Sequence, residues 1–318
     1  MNSTAAILPT GLRRDLRRWR QLVTPAWIDG LVSGAPLAAA PPGAWRLFEV
    51  GCGDAEAFHA GHLPGAGYLD TAWLEGGPLW NKVPDAQLER VLLEHGVRHD
   101  VTVVLVGRNP LAAARAAHLL LYAGVADVRL LDGGLKAWTA AGLALARGRP
   151  RRWPAQRAFG APFPGRPDYL FDMDQARRLL ERAEGALVST RTWNEFIGKT
   201  SGYSYIAARG DIPGALWGRA GEDGDVNSMS AFHDGAGRMK PAAEIQAMWG
   251  AAGIHAGRQA VFYCGTGWRA SLAFFYAWLM GWERIAVYDG GWCEWSRDAA
   301  NPVLRRVDAA DAVLVDAA

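Results

Sequence analysis

Two hydrophobic periods alternate along this chain, and they do so twice in the same order. Val101–Val106 is an unbroken apolar run of strand length; after a loop, Ala112–Ala123 is apolar over helix length. Gly124 follows, then a second strand run Val128–Leu131, then Asp132-Gly133-Gly134 with Trp138 beyond it. The second half repeats this. It has a strand Ala260–Tyr263, a loop, a helix from about Ala270 to Met280, Gly281, a strand Ile285–Tyr288, Asp289-Gly290-Gly291 and Trp295. Gly107 precedes Asp132 by 25 positions, and Cys264 precedes Asp289 by 25. Upstream, His62–Ala66 (HLPGA) is echoed by Asp211–Ala215 (DIPGA), each after a strand and a Glu/Phe pair (Glu56 and Phe58; Glu195 and Phe196).

Strand, loop, helix and strand at this spacing predict parallel α/β units with right-handed crossovers and helices on both sheet faces. The expected fold class is therefore α/β, with two tandem domains, each a mainly parallel sheet flanked by helices. Residues 149–168 carry five prolines and no periodic apolar pattern, so they read as a linker between an N-terminal domain (1–148) and a C-terminal domain (169–318).

Composition narrows the function. Thirty-four basic against 32 acidic residues leave a formal charge of +2, which gives no reason to expect nucleic acid or an anionic membrane as partner. The basic run Arg13–Arg20 reads as the solvated face of a short surface helix. No apolar stretch approaches the ~18 residues of a membrane span. The weakly apolar Ala5–Leu8 precedes its arginines rather than following them, the wrong order for a secretory signal, so a cytoplasmic location is expected. Three cysteines, Cys52, Cys264 and Cys293, are too few and too scattered for a disulfide framework. The seven histidines show no zinc spacing; no metal and no cofactor are expected.

Thiol chemistry is the remaining question, and Cys264 is where it concentrates. Cys264-Gly265-Thr266-Gly267-Trp268-Arg269 joins a strand to a helix, the place where parallel sheets bind ligands. There a sulfur faces unpaired backbone N–H groups and the positive end of a helix dipole, which favour thiolate over thiol. Glycines let the loop curl its amides round one anionic atom. Ser271 reads as the helix cap. The corresponding loop of the first half, Gly107–Ala112, has neither cysteine nor glycine cradle, so one copy reads as active and the other as structural. Cys52, between glycines after a strand, falls at the repeat position of Arg191 and reads as non-catalytic, as does Cys293.

From about Trp45 to Pro302 the chain resembles the tandem-rhodanese sulfurtransferases, in which a C-terminal cysteine begins a six-residue loop; Cys264–Arg269 matches its length. Cys264–Gly267 is more similar to the mercaptopyruvate type (Cys-Gly-Ser-Gly) than to the thiosulfate type (Cys-Arg-Lys-Gly). The resemblance implies ping-pong chemistry: Cys264 takes sulfane sulfur from a small-molecule donor as a persulfide and passes it to a small-molecule acceptor. Trp268 and Arg269 depart from the common loops, which have a small aliphatic residue and threonine there; Arg269 reads as a cation closing the cradle, as a pin to a neighbouring carboxylate, or as both. The resemblance also implies that Arg191 contacts anionic donors, whereas the family's second arginine of that stretch is replaced near Asn194 or Glu195. Residues 191–206, 210–221 and 262–270 resemble the rhodanese-like enzymes that insert sulfur into the imidazole of hercynine to form ergothioneine from polysulfide. That resemblance implies proton transfer by Tyr205 or Tyr203. It further implies aromatic faces for a trimethylammonium group from Trp217, Trp268 or Trp292, with charge from Asp211 or Glu195.

Other readings remain open at this level: a thiosulfate or 3-mercaptopyruvate sulfurtransferase with a cyanide or thiol acceptor, a cysteine phosphatase, or a non-catalytic binding module. A phosphatase loop places five residues between Cys and Arg; here there are four.

Overall fold

A computed structural model describes residues 11–53 and 55–307; Ala5–Leu8 and residues 308–318 lie outside them. The first half runs β1 (Leu22–Val23), α1 (Pro25–Ser33), β2 (Trp45–Gly51), α2 (Ala55–Ala60), β3 (Gly67–Asp70), β4 (Glu75–Gly76), β5 (Asn81–Lys82), α3 (Asp85–Glu94), β6 (Thr102–Gly107), α4 (Pro110–Ala123), β7 (Asp127–Leu131) and α5 (Gly134–Ala140). The second half runs β8 (Leu170–Phe171), α6 (Met173–Leu180), β9 (Gly185–Ser189), α7 (Trp193–Phe196), β10 (Leu216–Trp217), α8 (Ala242–Gly250), β11 (Gln259–Tyr263), α9 (Trp268–Leu279), β12 (Ile285–Tyr288) and α10 (Gly291–Trp295).

The repeat read from the sequence is a repeat of topology. One five-stranded sheet has the order β1-β7-β6-β2-β3 and the other β8-β12-β11-β9-β10, with every pairing parallel. The central strands β6 and β11 are apolar and buried on both faces, as strands covered by helices on two sides must be. The short echo is also structural: His62 bridges Ala146 and Asp211 bridges Leu304, so each tail is stitched back at the same point.

The halves do not sit apart. Helices α4 and α9, the fourth helix of each half, pack against one another, and one hydrophobic cluster runs from Leu105 and Leu120 through Phe274 and Trp278 to Val287. Residues 149–166 carry no helix or strand and are pinned along the first half: Arg151 N–H donates to Ala66 O at 3.0 Å and Gln156 N–H to Leu93 O at 2.9 Å. The basic run departs from expectation. Rather than a solvated helix face it threads the junction, with Leu16 buried, Arg13 donating to Met239 O and Arg18 to Trp278 O. Long arginine stems lie along apolar surface while their heads find carbonyls.

Helix α9 begins at Trp268, two residues before the predicted start, because Gly267 adopts φ +112° and caps it. Ser271 is therefore an interior, buried residue and not the cap.

Candidate active site

Tyr263 ends β11 in the middle of its sheet, and the four residues Cys264–Gly267 turn the chain into α9. Hydrogen bonds hold the carbonyls on both sides of the turn. Tyr263 O accepts the Thr190 N–H at 2.7 Å and Thr190 Oγ1 at 2.8 Å, Cys264 O the Trp292 N–H at 2.8 Å, and Gly265 O the Cys293 N–H at 2.9 Å. Gly267 O accepts the Ser271 N–H at 2.8 Å. The Asp289-Gly290-Gly291 turn makes this possible: a Cβ at Gly291 would stand 2.6 Å from Cys264 O, so only glycine lets the first turn of α10 approach. The Gly267 N–H donates to Cys264 Sγ at 3.2 Å. Cys264 is buried, with its sulfur at the foot of a cavity of about 270 Å³.

Arg269, on the first turn of α9, is fully buried. It makes a two-pronged ion pair with Glu195 (2.9 and 3.0 Å) and donates to the Tyr203 hydroxyl. That hydroxyl also accepts the Gly265 N–H at 3.0 Å. Burial holds Tyr203 protonated, well above the usual phenol range. Burial pushes Glu195 up, but the guanidiniums of Arg269 and Arg191 outweigh it and its acid strength is raised. Tyr205 is half-exposed at the cavity mouth, where the Thr266 side chain hydrogen-bonds its hydroxyl; burial and the proximity of Cys264 raise its pKa.

The cavity is lined by Cys264, Thr266, Trp268, Arg269, Tyr203, Tyr205, Val226 and Asn227, and by three residues of the first half, Cys52, Glu75 and Trp80. Five residues expected at the substrate lie elsewhere. Arg191 is fully buried, donating to Gly210 O (2.6 Å), Asp211 (3.1 Å) and Ser201 O (3.2 Å), and it stacks on Trp292. Asp211 is enclosed by Ser189, Arg191 and the Tyr263 hydroxyl. Glu195 caps α7 through the Thr192 N–H and pairs with Arg269. Trp217 packs against Trp193 and donates to Arg191 O, and Trp292 is a core ring donating to Ala208 O. These groups form the wall that holds Arg269 and Tyr203, one layer behind the cavity. Buried charges need partners, and here the partners are one another.

Glu75 and Trp80 were not legible as site residues because they belong to the half without the cysteine. They sit on the β4–β5 hairpin, and Glu75 accepts the Trp268 indole N–H at 2.5 Å through one oxygen and the Arg115 Nε at 2.9 Å through the other. Burial pushes the Glu75 carboxyl above the usual carboxylate range, against the pull of Arg115 and Trp268. The signal that finds them is the repeat itself. Two like domains packed through like helices place the hairpin of one opposite the active loop of the other. Among the described residues, no group of three or more metal-ligating side chains occurs, and no helix is long and apolar enough to cross a membrane.

Comparison with known proteins agrees with this geometry. A family model of the rhodanese-like domain matches residues 43–141 and 172–298. The chain is 50% identical over 301 residues to thiosulfate sulfurtransferase YnjE of Escherichia coli, covering 95% of this chain and 68% of that one. The YnjE crystal structure superposes with a TM-score of 0.88, covering 91% and 69% of the two chains. A probable 3-mercaptopyruvate sulfurtransferase of Pseudomonas aeruginosa is 34% identical, over 78% of this chain and 86% of that one. The anaerobic ergothioneine biosynthesis enzyme of Chlorobium limicola, in complex with trimethyl histidine, is 38% identical with a TM-score of 0.87, covering 91% and 71%.

Proposed function

The chain belongs to the rhodanese family and is a sulfurtransferase, and from that premise we propose that Cys264 carries sulfane sulfur as a persulfide and delivers it to a zwitterionic imidazole betaine of the hercynine type. One observation carries this reading. The Cys264 cavity is walled by the rings of Trp80, Trp268, Tyr203 and Tyr205, and among the described residues its lining charges are already paired, Arg269 with Glu195 and Glu75 with Arg115. Aromatic faces suit the trimethylammonium of such a betaine, which cannot donate a strong hydrogen bond. A purely anionic substrate would find no unpaired cation among the described lining residues, and Arg191, the arginine expected to clamp one, is sealed behind the wall.

In the first half-reaction the Cys264 thiolate attacks a sulfane sulfur of polysulfide. The donor's S–S bond breaks, the shortened polysulfide leaves with the electron pair, and Cys264 becomes a persulfide. The Gly267 N–H and the end of α9 stabilise the anion. In the second, a C–S bond forms between the outer sulfur and an imidazole carbon. The persulfide S–S bond breaks, Cys264 leaves as thiolate, and the carbon loses its proton. The sulfane sulfur is itself the oxidant, so no further redox partner is needed. In this reading Tyr205, protonated and beside Thr266, moves protons to and from the imidazole.

A second reading concerns the donor. The relative at 50% identity bears the name of a thiosulfate sulfurtransferase, which favours thiosulfate as an alternative source of the same sulfur. Intact-mass measurement separates these. Charging with polysulfide or thiosulfate is expected to add one sulfur mass, absent in Cys264→Ser, and hercynine is expected to discharge it with appearance of the thiolated imidazole. A persulfide that survives hercynine would remove the acceptor assignment; no added sulfur from either donor would remove Cys264 as carrier.

A further inference from the structure

Arg115 lies on α4, in the half without the active cysteine, and is fully buried. Its Nε donates to Glu75 Oε2 at 2.9 Å, and its Nη2 donates to Asp289 Oδ1 at 2.5 Å and reaches Trp80 O at 3.5 Å. Its Nη1 has no hydrogen-bond partner and no solvent. A buried donor left unsatisfied is costly, and a guanidinium in apolar surroundings more so. The helix packing of α4 alone does not call for an arginine; its two buried carboxylate partners, Glu75 and Asp289, do.

What the guanidinium touches explains its presence. Its unpaired Nη1 abuts the turn that holds the sulfur: a Cβ at Gly267 would stand 3.3 Å from it. Gly267 is the residue whose N–H donates to Cys264 Sγ. Glu75, held by Arg115, orients the Trp268 ring through the indole N–H. Asp289, held by Arg115 and by the Lys82 N–H at 2.7 Å, begins the turn into α10, whose amides bind the Cys264 and Gly265 carbonyls. One cation thus meets the active loop from three sides: the closing glycine, the ring on the first helical turn, and the turn behind the carbonyls.

We propose that Arg115 is a positioning residue for sulfur transfer, through which the first domain sets the geometry of the Cys264–Trp268 loop. It touches neither substrate nor sulfur and acts through Gly267, Glu75 and Asp289. The proposal rests on Cys264 being the sulfur carrier. It accounts for the retention of a cysteine-free copy: the catalytic loop is completed from outside its own domain.

The test uses the full chain charged with sodium polysulfide, followed by time-resolved intact mass. Arg115→Met is expected to lower the maximal charging rate at least tenfold, with the half-saturating polysulfide concentration within threefold of wild type, and Arg115→Lys to recover part of the rate. Trp268→Phe removes the indole N–H, with the pyrrole part of the ring, from the same network. Combined with Arg115→Met it is expected to lose little beyond the worse single variant, as for residues acting as one unit. Wild-type charging rates in Arg115→Met, or fully additive losses in the pair, would overturn the proposal. Should Arg115→Met not fold, wild-type rates in both Arg115→Lys and Trp268→Phe would do so. Cys264→Ser separates the premise from the proposal. If it charges normally, the carrier assignment falls; if it does not and Arg115→Met charges at the wild-type rate, only the role of Arg115 falls.

Discussion

The indole N–H of Trp268 donates to the carboxylate of Glu75 at 2.5 Å, from the first turn of α9 in one domain to the hairpin of the other. The contact fixes the ring that forms one wall of the Cys264 cavity, and it brings the hairpin apex, where Trp80 holds a left-handed backbone (φ +61°), over the opening. A non-glycine residue in that region carries strain that the surroundings must hold. Here it turns a large ring towards the cavity.

Trp80→Ala is therefore expected to raise the KM for a trimethylammonium acceptor by roughly 3- to 30-fold, the range of a partly desolvated cation–π contact. Trp80→Phe should keep most of the affinity. Steady-state kinetics at saturating polysulfide, with hercynine varied, reads the difference. An unchanged KM in Trp80→Ala would remove this ring from the acceptor site.

The two tyrosines of the 199–209 segment divide their work. Tyr203 accepts the Gly265 N–H and an Arg269 N–H in a partly buried position, so Tyr203→Phe strips the Gly265 N–H of its acceptor and leaves Arg269 Nη2 with Glu195 alone. A loss on the order of 2–4 kcal/mol is expected, read as a lower thermal midpoint. Tyr205 is 49% exposed, and Tyr205→Phe should leave the midpoint within a degree or two while slowing discharge of the persulfide by the acceptor. Equal destabilisation by both variants would refute this division.

Much of this architecture was legible from period alone, because β6, β11, α4 and α9 are buried on all sides and their apolar runs have no other use. The loop was equally plain: Cys264 followed by two glycines has few structural reasons to exist. The wall behind it was misassigned for a physical reason. Arg191, Glu195 and Asp211 are charged, and charge in a sequence reads as accessible, whereas here each neutralises another in the interior. Cys52 reads as non-catalytic in the sequence, and Glu75 does not stand out there, for the converse reason. They belong to the copy without chemistry, and only the packing of α4 on α9 carries them to the sulfur.

Asp132 and Asp289, the paired aspartates of the repeat, each accept a backbone N–H from the opposite domain: Met239 donates to Asp132 at 2.8 Å and Lys82 to Asp289 at 2.7 Å. Burial pushes Asp132 up to about 6, against the Met239 hydrogen bond and Arg13. Its folded value thus exceeds the ordinary carboxylate value, so the folded state holds the proton more tightly than the unfolded one. Its contribution is greatest below about pH 4 and is lost as pH rises towards 6. Asp132→Asn keeps an acceptor and removes the charge. It is expected to abolish that slope and to exceed wild type at pH 7 by about 2 kcal/mol. Urea unfolding of both proteins between pH 4 and 8 measures it; parallel curves would show that Asp132 is not the titrating group.

Glu195 has the opposite sign. Although burial raises it, the two-pronged Arg269 pair and Arg191 bring its folded value below the ordinary one, so its contribution is present above about pH 4.5 and is lost as pH falls through the folded value. Glu195→Gln leaves the buried Arg269 guanidinium without its counter-charge, while Arg191 keeps Asp211, and the loss at pH 7 is expected to be on the order of 3–5 kcal/mol. The gap between variant and wild type should narrow as the pH is lowered through the acid range, where the wild-type carboxylate also becomes neutral. The same unfolding series reads both aspects. A Glu195→Gln protein of wild-type stability whose KM for the acceptor had risen would move Glu195 out of the wall and back to the substrate, and the cavity would then have to open behind Tyr203 rather than beside Trp80.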